Sequence, residues 1–175
     1  MKNAARQTMN KQTGFTLIEL VVVIVILGIL AVTAAPKFIN LTADAHEATL
    51  KAIKASMQSA STLVHSKTLI AGTEKANFTA NKEVTVATGT TVAVHFGYPT
   101  NDITDWGNML EIDITNDFEV AQVGAEGSSA TAYFLVYPKG KKPTTPAAED
   151  ACSVQYQEAI TEGNVPVITV TPGCY

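Results

Sequence analysis

One carboxylate lies inside a long apolar segment near the amino end of the chain. Glu19 is the only ionisable residue of Gly14–Pro36, whose sequence is GFTLIELVVVIVILGILAVTAAP. A carboxylate in hydrocarbon costs several kcal/mol unless it is protonated or paired. If the chain were cut after Gly14, the new cationic amine at Phe15 would lie one helical turn from Glu19. That amine could neutralise Glu19 within one chain or between neighbouring copies, and pairing between copies would give a register for stacking them.

The positions of the histidines in the sequence indicate structural roles. His46, His65 and His95 are the only histidines of the chain. The first two lie 19 residues apart in a predicted helix, too far to share a metal ion, and His95 falls in a predicted strand. We therefore expect surface or partly buried structural histidines and no metal centre.

A group of acidic residues surrounds a predicted hairpin: Glu111, Asp113, Asp117 and Glu119. Calcium binding needs several oxygens that converge on one point, and the sequence has no D-x-D-x-D-G loop. A solvated strand face is the simpler interpretation. The chain also has no G-x-S-x-G nucleophile motif and no phosphate-binding loop, so we expect a protein that is not an enzyme and uses no cofactor.

The apolar segment is long enough to cross a bilayer. As a helix at about 1.5 Å per residue, Phe15–Pro36 would span roughly 33 Å. The preceding residues, Met1–Gly14, carry Lys2, Arg6 and Lys11 and no acidic residue. Basic residues before an apolar run hold the amino end in the cytoplasm. A cut at the end of this leader would keep the apolar helix, whereas cleavage of a secretory signal removes it.

The charge argues against nucleic acid as a partner. The formal net charge is −4, and it becomes −7 when the three basic residues of the leader are lost. An acidic surface disfavours unassisted binding to nucleic acid. The length of the chain suits a single domain.

The helix is expected to continue beyond the apolar segment. Apolar residues recur at three- and four-residue spacing at Leu50, Ile53, Met57, Ala60 and Val64. After Pro36 no glycine or proline follows until Gly72. The pattern predicts one helix from Phe15 to about Ile70. Its first half is apolar all round, and its amphipathic second half should pack one face on a globular head.

The rest of the chain predicts an antiparallel β head. The strand candidates are Glu83–Ala87, Val92–Phe96, Leu110–Ile114, Phe118–Val123, Thr131–Tyr137, Ser153–Ala159 and Val165–Thr171. Asn101–Asn108 is expected to form a turn or a short helix around Trp106, and Asn116-Asp117 a hairpin turn. A run of strands after one long helix indicates an α+β fold, whose sheet lays its apolar face on the helix stripe Leu50–Val64.

The chain has two cysteines, Cys152 and Cys174. The leader and the apolar segment would place the head outside the cytoplasm, where thiols oxidise. A bridge between them would close a loop of just over twenty residues and stabilise the fold by roughly 3 kcal/mol. Two free buried thiols are the alternative.

At its amino end the sequence resembles the type IV prepilins. The resemblance is carried by Lys11-Gln12-Thr13-Gly14, by Phe15-Thr16-Leu17-Ile18-Glu19 and by the apolar run that contains Gly28 and Pro36. It implies that a membrane peptidase cuts between Gly14 and Phe15, that the Phe15 amine is N-methylated, and that Glu19 guides subunit docking. Gly28 and Pro36 are either ordinary occupants of a membrane helix or sites that weaken it so that it can stretch in a filament.

Other segments look most like the mannose-sensitive haemagglutinin (MSHA) pilins of marine gamma-proteobacteria. These segments are PKFINLTADAHEATL from Pro36, FGYP from Phe96 and the ending between the two cysteines. Type IV pilins carry a carboxy-terminal disulfide loop, so the resemblance reaches both ends of the chain. It implies a leader at 1–14, a membrane and filament-core helix at 15–36, an amphipathic half at 37–72 and a β head at 73–175.

Three functions are compatible with the sequence. The first is a major pilin, held in the inner membrane by a single span and then assembled into an extracellular homopolymer for adhesion, surface attachment and biofilm formation. Its expected partners are other copies, the prepilin peptidase and methyltransferase, the pilus assembly machinery and a glycan or chitin receptor. The second is a type II secretion pseudopilin or a minor pilin, although the major pseudopilins generally lack the terminal disulfide loop. The third is a membrane-anchored carbohydrate-binding or hydrolytic domain, with Trp106 and Tyr98 as a sugar platform.

Overall fold

The computed structural model describes residues 14–78, 82–110, 116–124, 132–143 and 152–174. The chain divides into two compact units, Met1–Ile39 and Asn40–Tyr175. The elements, in chain order, are α1 (Leu17–Ala71), β1 (Lys82–Ala87), β2 (Thr90–His95), β3 (Tyr98–Pro99), α2 (Ile103–Met109), β4 (Phe118–Val123), β5 (Tyr133–Pro138), β6 (Ser153–Gln157) and β7 (Val167–Thr171).

Helix α1 confirms the predicted long amino-terminal helix, and its end has a clear local cause. Gly72 adopts a φ of +67°, a backbone conformation that glycine accepts without steric cost. Thr73 N donates to Thr68 O at 3.0 Å, and Gly72 N donates to Leu69 O at 3.3 Å. These two bonds form the Schellman motif, which satisfies carbonyls at the end of a helix. Gly72 therefore ends α1 where the sequence predicted.

The strands of the head are antiparallel, as predicted, but they divide between two sheets. Strands β1, β2 and β3 form a three-stranded sheet, and β4 to β7 form a four-stranded sheet in chain order. Strand β3 has only two residues, and its Pro99 has no N–H to donate to a further strand. Strand β4 pairs with β5 instead, with Phe118 opposite Pro138. Within the described residues, two sheets therefore replace the single sheet expected from the sequence.

Helix α2 confirms the predicted short helix around Trp106. Asp102 caps its amino end, because Asp102 Oδ1 accepts from Thr104 N at 2.6 Å and from Asp105 N at 3.4 Å. Asp105 Oδ2 accepts in turn from Ala93 N at 2.8 Å, which fastens α2 to β2. Burial raises the pKa of the Asp105 carboxyl, and the bond from Ala93 opposes that rise.

One stripe of α1 contributes to the cores of both sheets. Leu50, Ile53 and Met57 share a core with α2 and the four-stranded sheet; its other buried members are Trp106, Leu110, Phe134, Val136, Cys152, Val154, Tyr156 and Cys174. Val64 belongs to a second core, with Val84, Val92 and Val94 of the three-stranded sheet. The predicted packing of the stripe Leu50–Val64 on the head is confirmed.

Several predicted strand boundaries differ from the structure, among them the end of β6 at Gln157 rather than Ala159 and the start of β7 at Val167 rather than Val165. Leu110 is not the first residue of a strand but the buried carboxy-terminal cap of α2, and residues 111–115 lie outside the described residues. Strand β2 ends at His95 rather than at Phe96, because Phe96 and Gly97 have φ values of 46° and 84° and form the turn to β3.

Candidate functional site

The apolar part of α1 is exposed in its own unit. The helix contains an 18-residue window with a mean hydropathy of 3.0, none of which is buried, so it is long and apolar enough to cross a membrane. Phe15 is 94% exposed, and Val25 and Leu27 are more than half exposed. A continuous apolar surface of this extent marks a contact with lipid or with other protein.

The first turn of α1 holds the Glu19 carboxylate in a fixed position. Glu19 Oε2 accepts from Thr16 N at 2.7 Å and from Thr16 Oγ1 at 2.8 Å, and Glu19 N donates to Thr16 Oγ1 at 3.3 Å. This is a capping box, in which two side chains satisfy backbone N–H groups that lack helical partners. The capping role of Thr16 was not predicted, although the Thr-x-x-Glu spacing is the signature of this motif.

The residues around the predicted cleavage point are accessible. Gly14, Phe15 and Thr16 precede the helix in irregular backbone, and all three are exposed. A Cβ atom built at Gly14 meets no atom within 4 Å. A peptidase could therefore reach the Gly14–Phe15 bond without unwinding α1, but cleavage there and N-methylation of Phe15 stay predictions.

Gly28 and Pro36 both lie inside α1. A Cβ atom built at Gly28 meets no atom within 4 Å, so contacts with the described part of the chain do not require glycine there. Pro36 has no N–H and cannot make the bond to the carbonyl four residues earlier. The helix continues through both residues, and their role in helix flexibility stays a prediction.

A disulfide joins Cys152 and Cys174, with Cα atoms 4.7 Å apart, so the alternative of two free thiols is wrong. Both cysteines are buried in the core of the four-stranded sheet. The loop that they close contains β6 and β7, which pair in the register Ser153 opposite Thr171. The bridge therefore ties the edge strand β7 to the body of the head.

Trp106 is a core residue and not a sugar platform. Its side chain is only 2% exposed, and its Nε1 donates to Thr100 O at 2.9 Å. Its ring packs on Tyr156 at 4.5 Å and on Phe134 at 5.7 Å between centroids. The predicted platform of Trp106 with Tyr98 is therefore wrong, because the indole is buried against Tyr156 and Phe134 and cannot stack on a sugar.

A buried histidine and a buried glutamate face each other inside the head. His95 Nδ1 lies 3.7 Å from Glu158 Oε2. The Phe96 ring stacks on the imidazole at 4.5 Å, and the Phe78 ring meets it edge-on at 6.2 Å. Burial lowers the pKa of His95 from its ordinary value of 6.5, which favours the neutral imidazole. No local signal in the sequence indicates this pair, because its members come from β2 and from the segment after β6.

The described residues hold no group of three or more histidine, cysteine, aspartate or glutamate side chains that could bind a metal ion. Of the acidic residues around the predicted hairpin, Asp117 is exposed and Glu119 is partly exposed. Glu111 and Asp113 lie outside the described residues.

The chain matches known proteins over its amino-terminal segment. The family described as "Prokaryotic N-terminal methylation motif" matches residues 9–35. A curated relative, the type IV narrow pilus major component PilA5 of Thermus thermophilus, is 53% identical over 47 residues. That match covers 27% of this chain and 40% of the relative. No solved structure matched the chain.

The architecture, a long amino-terminal helix with an antiparallel β head and a carboxy-terminal disulfide, is consistent with the type IV pilin fold. Over its amino-terminal segment the chain is similar to a type IV pilus component and carries the methylation motif. The apolar helix that follows the start of this motif is long and apolar enough to cross a membrane.

Proposed function

We propose that the chain is the major structural subunit of a type IV pilus, which polymerises through its amino-terminal helix into a surface fibre. The observation that carries this proposal is the wholly exposed apolar window of α1, together with the methylation motif over residues 9–35. Lipid covers this surface in the membrane, and neighbouring helices cover it in the fibre. Since lipid and helices are similarly apolar, specificity must come from packing and from Glu19.

Processing prepares the subunit for assembly. The prepilin peptidase removes residues 1–14 and its methyltransferase activity modifies the Phe15 amine. Residues 15–36 then form the filament-core helix, 37–72 its amphipathic half and 73–175 the head. The cationic Phe15 amine of one subunit pairs with Glu19 of the same or a neighbouring subunit. The capping box supports this role because it holds the carboxylate at the first turn of the helix.

The fibre serves adhesion, surface attachment and biofilm formation, with a glycan or chitin receptor. This part of the proposal rests on the resemblance of three sequence segments to MSHA pilins. The Cys152–Cys174 disulfide favours a pilin over a major secretion pseudopilin. A minor pilin differs from a major one in its abundance in the fibre.

Mass spectrometry of sheared surface fibres tests the proposal. We expect this chain to be the dominant fibre protein, with N-methyl-Phe15 as its first residue. Fibres without the chain would exclude a pilus subunit, and a small fraction of it would assign a minor pilin. A chain that remains in the periplasm and is needed for protein export would identify a pseudopilin. A native chain that still begins with Met1 would contradict the processing step.

Glu19→Ala tests the assembly role. We expect normal processing at Gly14 and a fall of at least tenfold in the yield of sheared fibres, because the variant lacks the carboxylate that pairs with the Phe15 amine. The matched control is Glu47→Ala, which removes a partly exposed glutamate that pairs with Lys51 at 2.7 Å elsewhere on α1. Such a surface pair contributes little to stability. Normal fibre yield in Glu19→Ala would refute docking through Glu19.

A further inference from the structure

Three lysines lie close together in the turn that follows β5. Lys139, Lys141 and Lys142 are all exposed, and residues 139–142 form what is called here the basic turn. These are three of the nine lysines that follow Gly14, in a chain whose net charge without residues 1–14 is −7. A local excess of positive charge on an acidic chain attracts anionic partners that the chain as a whole would repel.

Backbone hydrogen bonds order the basic turn. Lys141 N donates to Pro138 O at 3.0 Å, which closes a β-turn over residues 138–141. Gly140 has a φ of 79° at the third position of this turn, as a type II turn requires. Lys139 N donates to Asp117 O at 3.0 Å, which ties the turn to the residue before β4. The lysines are therefore presented by ordered backbone at the end of two paired strands.

The register of the four-stranded sheet places the basic turn at one end of the head. Strand β5 ends at Pro138, opposite Phe118 at the start of β4. On the other side of β5, Val136 pairs with Val154, two residues after Cys152. The basic turn therefore lies at the same end of the sheet as the disulfide.

Helix α1 begins its path along the head at this same end. At the opposite end of β6, Tyr156 Oη donates to Pro99 O at 2.6 Å, and nearby Thr68 Oγ1 donates to Gly97 O at 3.1 Å. Leu50, which shares its core with both cysteines of the disulfide, precedes Thr68 on α1 by a helix length of about 27 Å. The chain enters this unit at Asn40, so the basic turn lies at the end of the head where the chain enters.

We propose that the basic turn binds the anionic phospholipid headgroups of the membrane that holds α1, so that the head of the unassembled subunit rests on the bilayer surface. Each lysine near an anionic leaflet adds a favourable electrostatic energy, which falls off within a Debye length. Because the chain tethers the head at the end that carries the basic turn, the ammonium groups meet the headgroups at a high effective concentration.

The contact belongs to the stage before assembly and rests on α1 as a membrane anchor, but not on the fibre. Assembly into the proposed fibre would have to break it, so the strength of the contact would set how readily a subunit leaves the membrane.

Neighbouring groups reduce the charge of the basic turn without cancelling it. Among the described residues at the adjoining end of β4, Asp117 is exposed, whereas Glu119 lies opposite Tyr137 and hydrogen-bonds to it. Lys139 and Lys141 also make interactions within the chain. The contact with lipid is therefore measured as a difference between two bilayers.

Amine-reactive labelling of the full chain tests the contact without any substitution. The chain is reconstituted in vesicles of phosphatidylcholine with and without phosphatidylglycerol, and a membrane-impermeant acetylating reagent labels the outward-facing heads. Mass spectrometry gives the rate at each lysine. We expect Lys141 and Lys142 to react at least threefold more slowly in the anionic vesicles, and high salt to remove the difference. Equal rates in the two kinds of vesicle would overturn the proposal.

Two other lysines are internal controls. Lys75, with a side chain 72% exposed, pairs with Glu162 at the opposite end of the head and should react equally in both vesicles. Lys51, with a side chain 65% exposed on α1, reports whether a negative surface simply excludes the reagent. If Lys51 slowed as much as Lys142, the effect would be general and the proposal would be overturned.

Variants assign the contact to the basic turn. In the double variant Lys141→Glu with Lys142→Glu, the protection of Lys139 by anionic lipid should disappear, whereas the matched control Lys75→Glu should keep it. Both variants should have an unchanged Tm, because these side chains are exposed. Protection of Lys139 that persists in the double variant would overturn the assignment.

Inorganic phosphate separates a membrane surface from a small-anion site. Added to the full chain in a zwitterionic detergent, it should leave all labelling rates unchanged, and protection by phosphate alone would overturn the assignment to the membrane. Fibre yield is measured in parallel. Fibres without lipid-dependent protection would refute this contact alone, and protection in a chain that forms no fibres would refute the pilin proposal alone.

Discussion

The two units of the chain use their apolar residues in opposite ways. In the Met1–Ile39 unit, residues such as Val25 and Leu27 are exposed along α1. In the Asn40–Tyr175 unit, Leu50, Met57 and Trp106 are almost fully buried in a core. The first unit therefore depends on its surroundings for burial, whereas the second supplies its own core, helix caps and disulfide. Substitutions in the first should change insertion and assembly, and substitutions in the second should change folding.

Val25→Asp should have the largest effect on membrane insertion and assembly. A charged residue at the centre of a membrane helix costs about 2.5–3.5 kcal/mol by insertion measurements, which corresponds to roughly a hundredfold change in partition. We expect loss of the chain from the membrane fraction and from fibres, measured by fractionation and immunoblotting. The control Val25→Leu should be normal. Normal insertion of Val25→Asp would show that α1 is not a membrane span.

Trp106→Ala tests the buried core of the Asn40–Tyr175 unit. Removal of a buried tryptophan should cost the head about 3–5 kcal/mol of unfolding free energy, because it leaves a cavity beside Phe134 and Tyr156. Pulse proteolysis in urea measures this loss without the tryptophan signal. Trp106→Phe should lose less, and membrane insertion should be unchanged in both variants. A loss below about 1 kcal/mol would contradict the core position of the indole.

His95 should make the stability of the head depend on pH. Its folded pKa lies below its ordinary value of 6.5, so the unfolded chain binds more protons between the two values. Stability should therefore be full above about pH 6.5 and fall as the pH drops through the folded pKa. Urea unfolding of the full chain between pH 7.5 and 4.5, in steps of about half a unit, measures this slope.

The variant His95→Gln should flatten the slope that His95 causes, whereas His46→Gln, on α1, should retain it. Because the Glu158 carboxyl lies beside the imidazole, only the difference between the two variants is assigned to His95. An identical slope in both would contradict this assignment.

Thr16→Ala should have the smallest effect and should be confined to the first unit. Loss of the cap should destabilise the first turn of α1 by about 1 kcal/mol and speed amide hydrogen exchange there. Thr16→Ser keeps the hydroxyl and should exchange like the natural sequence. If Thr16→Ala changed the unfolding free energy of the head, the effect would not be confined to the first unit, and the prediction would be contradicted.

The features that the sequence predicted are those with a local signal. The three- and four-residue spacing from Leu50 to Val64 identified the packed stripe of α1, and Gly72 identified its end. The division of the strands into two sheets has no such signal, because the two residues of β3 are too few for a periodicity. The His95–Glu158 pair depends on tertiary packing. The capping box of Thr16 and Glu19 is different, since the Thr-x-x-Glu spacing is itself a local signal.

The disulfide has a consequence for damaged subunits. The exposed turn at Thr161–Asn164 between β6 and β7 is an accessible place for a protease to cut the head. A chain cut there stays in one covalent piece, because Cys152 and Cys174 lie on either side of the cut. Such a nicked subunit would gain the mass of one water molecule and separate into two fragments only after reduction. The proposed fibre could therefore carry broken backbones in its heads without shedding any of its protein.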